Sequence, residues 1–272
     1  MTSQDAQNQL KELWTKAERY RAEGKWQEAV NSYSRIIELI PRYVPAYVQR
    51  GLLVQEMGYP DMALTDFETA IQIDPQYGYA YYGRAWVKSS KGNHEGALAD
   101  AQNGMSLDSQ HTGMYFRRIG TAYQGLRRFG EAVEAYNEAL RLNSNMDEGT
   151  IYNRGTCYSQ MGQYALALAD FNRCLELDPD CAWAFSERGT VYLHLKEYDK
   201  AIKDCSNAIK YKPNYFHGYL IRAYAYQESG DHKKAKVDFE NALKLTNSPQ
   251  LKQQIENELK TLKKDWWRIF EK

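Results

Sequence analysis

The sequence lacks an excess of charge of either sign, with 35 lysine and arginine residues against 35 aspartate and glutamate residues. Proteins that hold nucleic acid through its phosphates usually carry a clear basic excess. The balance argues against that class, and we expect no nucleic acid among the partners. A locally basic face remains compatible with a net charge of zero.

The sequence also lacks a long apolar run. No stretch approaches the ~18 apolar residues of a membrane-spanning helix. Residues 1–8 are polar and have no apolar centre, so they do not read as a secretory signal. We therefore expect a soluble, cytoplasmic protein without membrane insertion.

Cysteine and histidine are scarce, with four and five residues. The cysteines lack the tight pairwise spacing of a zinc site, and we read them as reduced core residues. They are Cys157, Cys174, Cys181 and Cys205. The sequence shows no nucleophile motif and no glycine-rich phosphate loop. We predict no enzyme activity, no catalytic residue, no metal site and no cofactor.

What the sequence has in abundance is tyrosine, 22 residues, and a regular period. A small residue returns at intervals of 34, 34, 35, 35, 34 and 34 residues. The positions are Ala17, Gly51, Ala85, Gly120, Gly155, Gly189 and Ala223. Apolar residues recur at helical spacing in two stretches of each unit, separated by a short polar turn. The period predicts repeated helix pairs.

Other columns share this period. Twelve residues after each small residue stands an alanine, and four residues further on stands a mostly aromatic residue. The alanines are Ala29, Ala63, Ala97, Ala132, Ala167, Ala201 and Ala235; the next column is Tyr33, Phe67, Ala101, Tyr136, Phe171, Cys205 and Phe239. Proline, which cannot continue a helix, closes four units at 41, 75, 179 and 213.

These columns resemble the tetratricopeptide repeat over residues 10–248, nearly nine-tenths of the chain. The resemblance implies an all-α, right-handed α-solenoid of stacked helix-turn-helix hairpins, with a concave groove lined by the first helix of each repeat. We assign residues 1–9 to a polar N-terminal segment and residues 249–272 to a C-terminal capping helix. The seven repeats start near residues 10, 44, 78, 113, 148, 182 and 216.

The capping helix is predicted from Ser248-Pro249, a favourable helix start, and from the apolar spacing that follows. A stack of repeats needs a terminal unit that covers its open end. The alternative is self-assembly, in which the helix stacks on another copy through Trp266, Trp267 and Phe270.

An arginine precedes the small residue in five repeats, and each has an aspartate sixteen residues downstream. The pairs are Arg50 and Asp66, Arg84 and Asp100, Arg154 and Asp170, Arg188 and Asp204, and Arg222 and Asp238. The two repeats without the arginine, which have Lys16 and Ile119 there, also lack the aspartate. We predict an ion pair inside each of the five repeats, with a structural role.

If the fold is as implied, groove-facing residues occupy the second, fifth, sixth and ninth positions of each first helix. The predicted partner-binding residues are Tyr79, Tyr82, Trp86, Arg117, Arg118, Thr121, Tyr152, Asn153, Thr156, Trp183, Glu187, Thr190 and Tyr224; Trp14 and His217 share these positions. Aromatic rings around hydrogen-bonding groups suit an extended peptide. The open alternative is that several rings only pack against adjacent helices.

Repeat four, residues 113–147, stands apart because it has lost the ion pair and carries Arg117 and Arg118 on the groove side. One hypothesis is that these guanidiniums bind a carboxylate of a partner, such as a chain terminus. Sequence drift in a central repeat explains the same facts.

We predict a scaffold or adaptor that binds a peptide or protein segment, as a monomer or as a subunit of a larger complex. Chaperone-docking members of the resembled family clamp a terminal carboxylate with Lys, Asn and Arg. Only Asn153 matches that pattern outright, and Glu187 puts an acid where a base is needed, which disfavours docking of a chaperone tail. The alternative of another class is a helical-repeat RNA-binding protein.

Overall fold

The protein is helical throughout the part of the chain that the structure describes. A computed structural model describes the backbone of residues 3–142 and 148–270 and the side chains of residues 5–142 and 148–262. These residues form fifteen α-helices and one short 3-10 turn, with no strand among them. The predicted all-α class is confirmed.

Within residues 3–142 and 148–270 the helices alternate with short connections. Their bounds are α1 Ser3–Ala22, α2 Trp26–Leu39, α3 Val44–Glu56, α4 Pro60–Ile73, α5 Gly78–Ser90, α6 His94–Leu107, α7 Thr112–Gly125, α8 Phe129–Leu142, α9 Glu148–Gln160, α10 Tyr164–Leu177, α11 Ala182–His194, α12 Tyr198–Tyr211, α13 Phe216–Glu228, α14 His232–Leu245 and α15 Pro249–Phe270. The 3-10 turn, Ser109–His111, lies between α6 and α7.

Consecutive helices pack as hairpins in two compact units. In the first unit, residues 1–146, α1–α8 form four hairpins; in the second, residues 147–272, α9–α14 form three hairpins and α15 follows. First helices of neighbouring hairpins also touch: α3 contacts α5 and α5 contacts α7, while α9 contacts α11 and α11 contacts α13. Each unit thus has a surface built from first helices, which we call its first-helix face.

The first helices after α1 begin at, or one residue before, the repeat starts read from the period. Helix α1 differs, because it begins at Ser3, seven residues before the start read from the sequence. Residues 3–9 of the polar N-terminal segment therefore extend the first helix.

The small residues of the period lie directly against the aromatic column of the paired helix. A Cβ atom added at Gly51 would come within 2.9 Å of the Phe67 ring, and one at Gly120 within 2.6 Å of the Tyr136 ring. Phe67 and Tyr136 are fully buried. Close approach of the two helices thus requires a small residue opposite a large ring, which explains the period of both columns.

The five predicted ion pairs all form. The arginine Nη2 lies 2.6 Å from the Asp66 carboxylate, 2.7 Å from Asp100 and 2.6 Å from Asp170. In the last two repeats the arginine Nε lies 2.7 Å from Asp204 and from Asp238. Each guanidinium donates from Nε and Nη2 to the two carboxylate oxygens. These parallel hydrogen bonds fix the register of the two helices in a hairpin.

Three of these arginines also reach back to the preceding hairpin. The Nη1 atom of Arg50 donates to Ser34 Oγ at 2.9 Å in the first unit. In the second unit Arg188 Nη1 donates to Asn172 Oδ1 at 2.6 Å, and that of Arg222 to Ser206 Oγ at 2.9 Å. One side chain therefore links two successive hairpins, which the sequence analysis did not predict.

Repeat four replaces the ion pair by an apolar contact. Ile119 and Ala135, at the arginine and aspartate positions, are both buried and belong to one apolar cluster. A buried ion pair can be exchanged for well-packed apolar residues without loss of stability. The loss of the pair is thus compensated inside this hairpin.

Helix α15 covers the end of the second unit. Ile255 and Leu262 are buried in one cluster with Phe239 and Ala242 of α14. Trp266, Trp267 and Phe270, named above for self-assembly, lie outside the described side chains. In the described residues no helix combines the length and the apolar character needed to cross a membrane.

Candidate functional site

The first unit brings five predicted partner-binding residues into one cleft. Helix α5 supplies Tyr79, Tyr82 and Trp86, and α7 supplies Arg117 and Arg118. The cleft has a volume of about 370 Å³. It lies on the first-helix face because positions one helical turn apart point to the same side of a helix.

The arginines of this cleft converge on one phenol. Arg117 Nη2 and Arg118 Nη2 donate to Tyr82 Oη at 2.8 and 2.9 Å. The Arg118 guanidinium carbon lies 4.5 Å from the ring centroids of both Tyr82 and Trp86. Cation–π contact with two rings holds this guanidinium in place.

Arg118 has no acidic partner within the described ranges, and its buried Nε atom donates to no acceptor there. Burial lowers the pKa of the Arg118 guanidinium, and the neighbouring Arg117 lowers it further. A buried cation beside a second cation is unfavourable unless an anion compensates it. The cleft is therefore electrostatically suited to accept a carboxylate.

Tyr82 was predicted to face the groove, but its ring is buried. Only 5% of it is exposed, because it stacks on Tyr79 at 5.3 Å and meets the Tyr115 ring edge-on at 5.9 Å. Its hydroxyl orients the two arginines, while the half-buried Trp86 ring is the larger surface open to a ligand. Thr121, the sixth predicted residue of this unit, does not line the cleft; its hydroxyl donates to the Arg117 carbonyl at 3.0 Å.

The opposite wall of the cleft consists of residues that the sequence analysis missed. They are Arg21, Gln49, Leu52, Leu53 and Glu56. Gln49 and Leu52 occupy the sixth and ninth positions of repeat two, so the period used for the other repeats could have identified them. Arg21 lies outside those positions; it pairs with Glu18 at 2.7 Å and donates to Gln49 Oε1 at 3.3 Å.

In the second unit several predicted residues already have intramolecular partners. The hydroxyls of Thr156 and Thr190 donate to the backbone carbonyls of Asn153 and Ser186 at 2.7 and 3.0 Å. The Tyr224 hydroxyl accepts a hydrogen bond from Gln254 of α15 at 3.0 Å. These three side chains therefore support the helices and the cap.

Trp183 and Tyr152 differ in exposure. The Trp183 side chain is 50% exposed, and Lys212 Nζ lies 4.2 Å from its ring centroid. Tyr152 is half-buried and packs against Phe171 with ring centroids 6.1 Å apart. Among the described side chains of this unit, Trp183 is thus the aromatic ring most open to a partner.

Glu187, which lies on α11 with Trp183 and is half-buried, has no hydrogen bond or ion pair to any described residue. Burial raises the pKa of its carboxyl group, and no charged group of the described residues opposes that shift. Burial raises the pKa of Tyr152 and, to about 12, that of Tyr215, and the charge of Glu187 adds to both shifts. Tyr215 precedes α13, so an analysis restricted to helix positions could not have found it.

Among the described residues, one group of possible metal ligands occurs, and it lies in the second unit. The ligand atoms of Glu148, Asp178 and Cys181 all lie within 4.8 Å of one another. Asp178 Oδ1 accepts a hydrogen bond from the Asp180 amide at 3.1 Å, and burial raises the pKa of the Cys181 thiol. A cysteine that binds a metal must be a thiolate, and the raised pKa of Cys181 disfavours that form. These observations favour a hydrogen-bonded turn over a metal centre. The other three cysteines are likewise free and buried, as predicted.

The chain is similar to known repeat proteins in sequence and in fold. Hsp70-Hsp90 organizing protein 3 of Arabidopsis thaliana is 34% identical over 70 residues, which are 26% of this chain and 12% of that protein. A chain of the crystal structure of the APC/C hetero-tetramer Cut9-Hcn1 gives a TM-score of 0.76 at 17% identity over 87% of this chain and 48% of that chain. YrrB, titled a TPR protein with an unusual peptide-binding site, gives a TM-score of 0.52 at 24% identity over 70% of this chain and 97% of that chain.

Family models described as tetratricopeptide repeat match five segments of the chain. The segments are residues 44–77, 118–146, 150–181, 182–215 and 216–249. Together they cover more than half of the chain, and they coincide with hairpins of the structure. With the stacked hairpins and their shared columns of small and aromatic residues, they lead to one conclusion: this chain belongs to the tetratricopeptide repeat family.

Proposed function

We propose that the protein is a non-enzymatic scaffold or adaptor that binds an extended segment of another protein on its first-helix faces. In the first unit, the Arg118 cleft accepts a carboxylate of that segment. Either an acidic side chain or a chain terminus supplies the same chemistry.

The observation that carries the proposal is the Arg118 guanidinium itself. It is buried between two rings, and its Nε atom has no acceptor in the part of the chain that the structure describes. A carboxylate would supply both the missing acceptor and the missing charge, and hydrogen bonds to charged groups are the strong ones. Trp86 then offers an apolar surface beside the bound acid.

The chemistry of the cleft also supports a binding role over a catalytic one. Its polar groups are guanidiniums, two phenols, an indole, an amide and the carboxylate of the exposed Glu56. Tyr82 is held as a hydrogen-bond acceptor by both arginines, so it has no base beside it that would make it a nucleophile.

Similarity to other proteins supports the same class of function. The Arabidopsis relative is named an organizing protein of two other proteins, and YrrB is titled by its peptide-binding site. The matched segment is 12% of the length of the Arabidopsis relative, so the similarity covers a small part of that protein. We propose a partner other than a chaperone tail, because Glu187 carries the charge opposite to the one a carboxylate clamp needs.

The test captures partners from a lysate of the source organism with three baits: the wild-type chain, Arg118→Gln and Arg35→Gln. Arg118→Gln keeps most of the side-chain length and removes the cation. Arg35→Gln is the matched control, because Arg35 lies in the same unit and forms an exposed surface pair with Glu38. Circular dichroism first establishes that the three chains have equal helix content.

Cross-linking mass spectrometry then identifies the bound segment, and a synthetic peptide of that segment gives Kd for each chain. We expect a cross-link to α5 or α7, equal Kd for wild type and Arg35→Gln, and more than ~10-fold weaker binding by Arg118→Gln. Replacing the acid of the peptide by its amide should weaken wild-type binding equally. Equal affinity of all three chains would contradict the carboxylate site. Capture of RNA that weakens steeply with salt would favour the alternative class.

A further inference from the structure

A second cavity of the first unit lies beside the Arg118 cleft and shares a side chain with it. This cavity is lined by residues of α5, α6 and α7 and of the turns before α5 and α7. Its volume is about 520 Å³, which falls in the range of ~300–1,000 Å³ that is usual for ligand-binding pockets. Tyr79 lines both the cleft and the cavity. The two therefore adjoin at the start of α5, and one bound segment can reach both.

The acidic group at the edge of this cavity already has partners. The Asp108 carboxylate accepts a hydrogen bond from the Gln110 amide at 3.2 Å and another from the Tyr115 hydroxyl at 3.3 Å. His111 Nδ1 lies 3.0 and 2.9 Å from the two oxygens of the same carboxylate. Both oxygens of Asp108 are thus engaged within the protein, so this edge does not require a cation or a donor from a ligand.

The rest of the cavity wall is largely apolar and half-buried. Its larger side chains are Tyr77, Tyr79, Leu107 and Met114. The Tyr79 ring is held by stacking on Tyr82, with ring centroids 5.3 Å apart. Aromatic rings and a thioether pack well against an apolar or aromatic group. Covering this wall with an apolar side chain would remove apolar surface from water and is therefore favourable.

We propose that this apolar cavity binds a large apolar side chain of the same partner segment whose carboxylate enters the Arg118 cleft. The cleft identifies the occupant, because the buried Nε atom of Arg118 has no acceptor among the described residues and the cavity adjoins the cleft through Tyr79. The inference rests on the proposed function and adds a second recognition feature to the partner. The partner is thus a segment that combines an acid with a large apolar residue.

The geometry of α5 sets the spacing of the two features along the partner. The Arg118 guanidinium lies over the Tyr82 ring, whereas the apolar cavity borders on Gly78. These two positions of α5 are four residues apart, which is ~6 Å along a helix, and an extended chain covers that distance in about two residues. Side chains two positions apart in an extended segment point to the same side. We therefore expect the apolar residue two positions from the acid.

The test selects a phage library of random twelve-residue peptides on four full-length chains: wild type, Arg118→Gln, Met114→Gln and Met62→Gln. Met114→Gln keeps most of the side-chain length and removes its apolar end. Met62→Gln is the matched control, because Met62 lies in the same unit, is 58% exposed and lines neither the cleft nor the cavity. Circular dichroism first establishes that the four chains have equal helix content.

The two features of the selected peptides should be lost independently. We expect peptides selected on wild type and on Met62→Gln to combine an acidic residue with a large apolar residue two positions away. Selection on Arg118→Gln should lose the acid. Selection on Met114→Gln should keep the acid and lose the preference for the apolar residue.

Synthetic versions of a selected peptide then measure the apolar contact on the wild-type chain, where the result does not depend on how a variant folds. Replacing the apolar residue by serine should weaken binding at least ~10-fold, because it removes a large buried apolar side chain. The loss should be smaller on Met114→Gln. Moving the apolar residue next to the acid turns it to the other side of the segment and should weaken wild-type binding to the same extent.

The outcomes distinguish the cavity from the cleft. Selection of an acid through Arg118 without an apolar companion, or an equal loss from serine on wild type and on Met114→Gln, would overturn the apolar site and leave the carboxylate site intact. Peptides selected without an acid would overturn the carboxylate site and the inference that rests on it. A selection that enriches no peptide on any chain would overturn both.

Discussion

Arg188 and Asp204 are joined by two parallel hydrogen bonds, from Nε at 2.7 Å and from Nη2 at 2.8 Å. The aspartate side chain is 5% exposed and the arginine side chain 19% exposed, so the pair is largely removed from water. The third donor of Arg188 reaches Asn172 in the preceding hairpin. This side chain of α11 therefore connects three helices of the second unit, because its two partners lie on α12 and α10.

Arg188→Gln should destabilise the second unit by about 3–5 kcal/mol, because it leaves Asp204 buried without its cation. The control is Arg173→Gln, which removes an arginine from the exposed pair with Glu176 and should change stability by less than ~1 kcal/mol. Urea unfolding followed by circular dichroism measures both. A loss for Arg188→Gln as small as that of the control would show that the pair is dispensable.

Lys196→Gly should stabilise the protein by roughly 0.5–1 kcal/mol. Lys196 adopts φ = 60°, the left-handed region in which Gly24 and Gly162 stand in equivalent turns. A residue with a side chain is strained there by ~1–2 kcal/mol, and glycine relieves this strain. Part of the stabilisation is lost because glycine also gives the unfolded chain more conformational entropy. Gly162→Ala, the reciprocal change, should destabilise. The thermal unfolding midpoint should rise for Lys196→Gly and fall for Gly162→Ala. A lower midpoint for Lys196→Gly would contradict this account.

Glu187→Gln should stabilise the unliganded protein at neutral pH by an amount on the order of 1 kcal/mol, because it removes a half-buried charge that has no ion-pair partner among the described residues. The folded-state pKa of Glu187 is raised above its usual 4.5. Between the two pKa values the native state binds more protons, so wild-type stability falls as pH rises through that window. Tyr152, Tyr215 and Cys205 face Glu187 and stay neutral there.

The stability difference between Glu187→Gln and wild type should therefore vanish below pH 4.5 and be complete above the raised pKa. Urea unfolding at a series of pH values measures it. A variant that is less stable than wild type at neutral pH would mean that Glu187 supports the fold through a contact, and a difference independent of pH would mean that its charge is not responsible.

Gly83→Ala should destabilise the first unit by about 1–3 kcal/mol, the usual range for overpacking a filled core. An added Cβ would lie 2.1 Å from Phe67 Cε1, and Phe67 is fully buried. Gly130→Ala is the matched control, because nothing lies within 4 Å of a Cβ there; in helix α8 it should gain up to ~1 kcal/mol. Chemical unfolding of the two variants should move in opposite directions, and a neutral Gly83→Ala would show that the ring can yield.

The sequence by itself was sufficient to predict the helical hairpins and the ion pairs inside them. Helix formation depends on local spacing of apolar residues, and the seven copies of one pattern show which columns serve packing. The joint presence or absence of Arg and Asp sixteen residues apart identified their contact, because both partners belong to one hairpin. These features repeat, so each copy supports the interpretation of the others.

Only the tertiary structure decided what each residue of the first-helix faces does. Tyr82 is buried beneath two arginines, Thr156 and Thr190 bond to their own helices, and Tyr224 is held by the cap. Arg118 and Glu187 have no oppositely charged partner among the residues that the structure describes, and this depends on which side chains of neighbouring hairpins can reach them. Burial and pairing arise from contacts between repeats that differ from one repeat to the next, so a period common to all repeats cannot encode them.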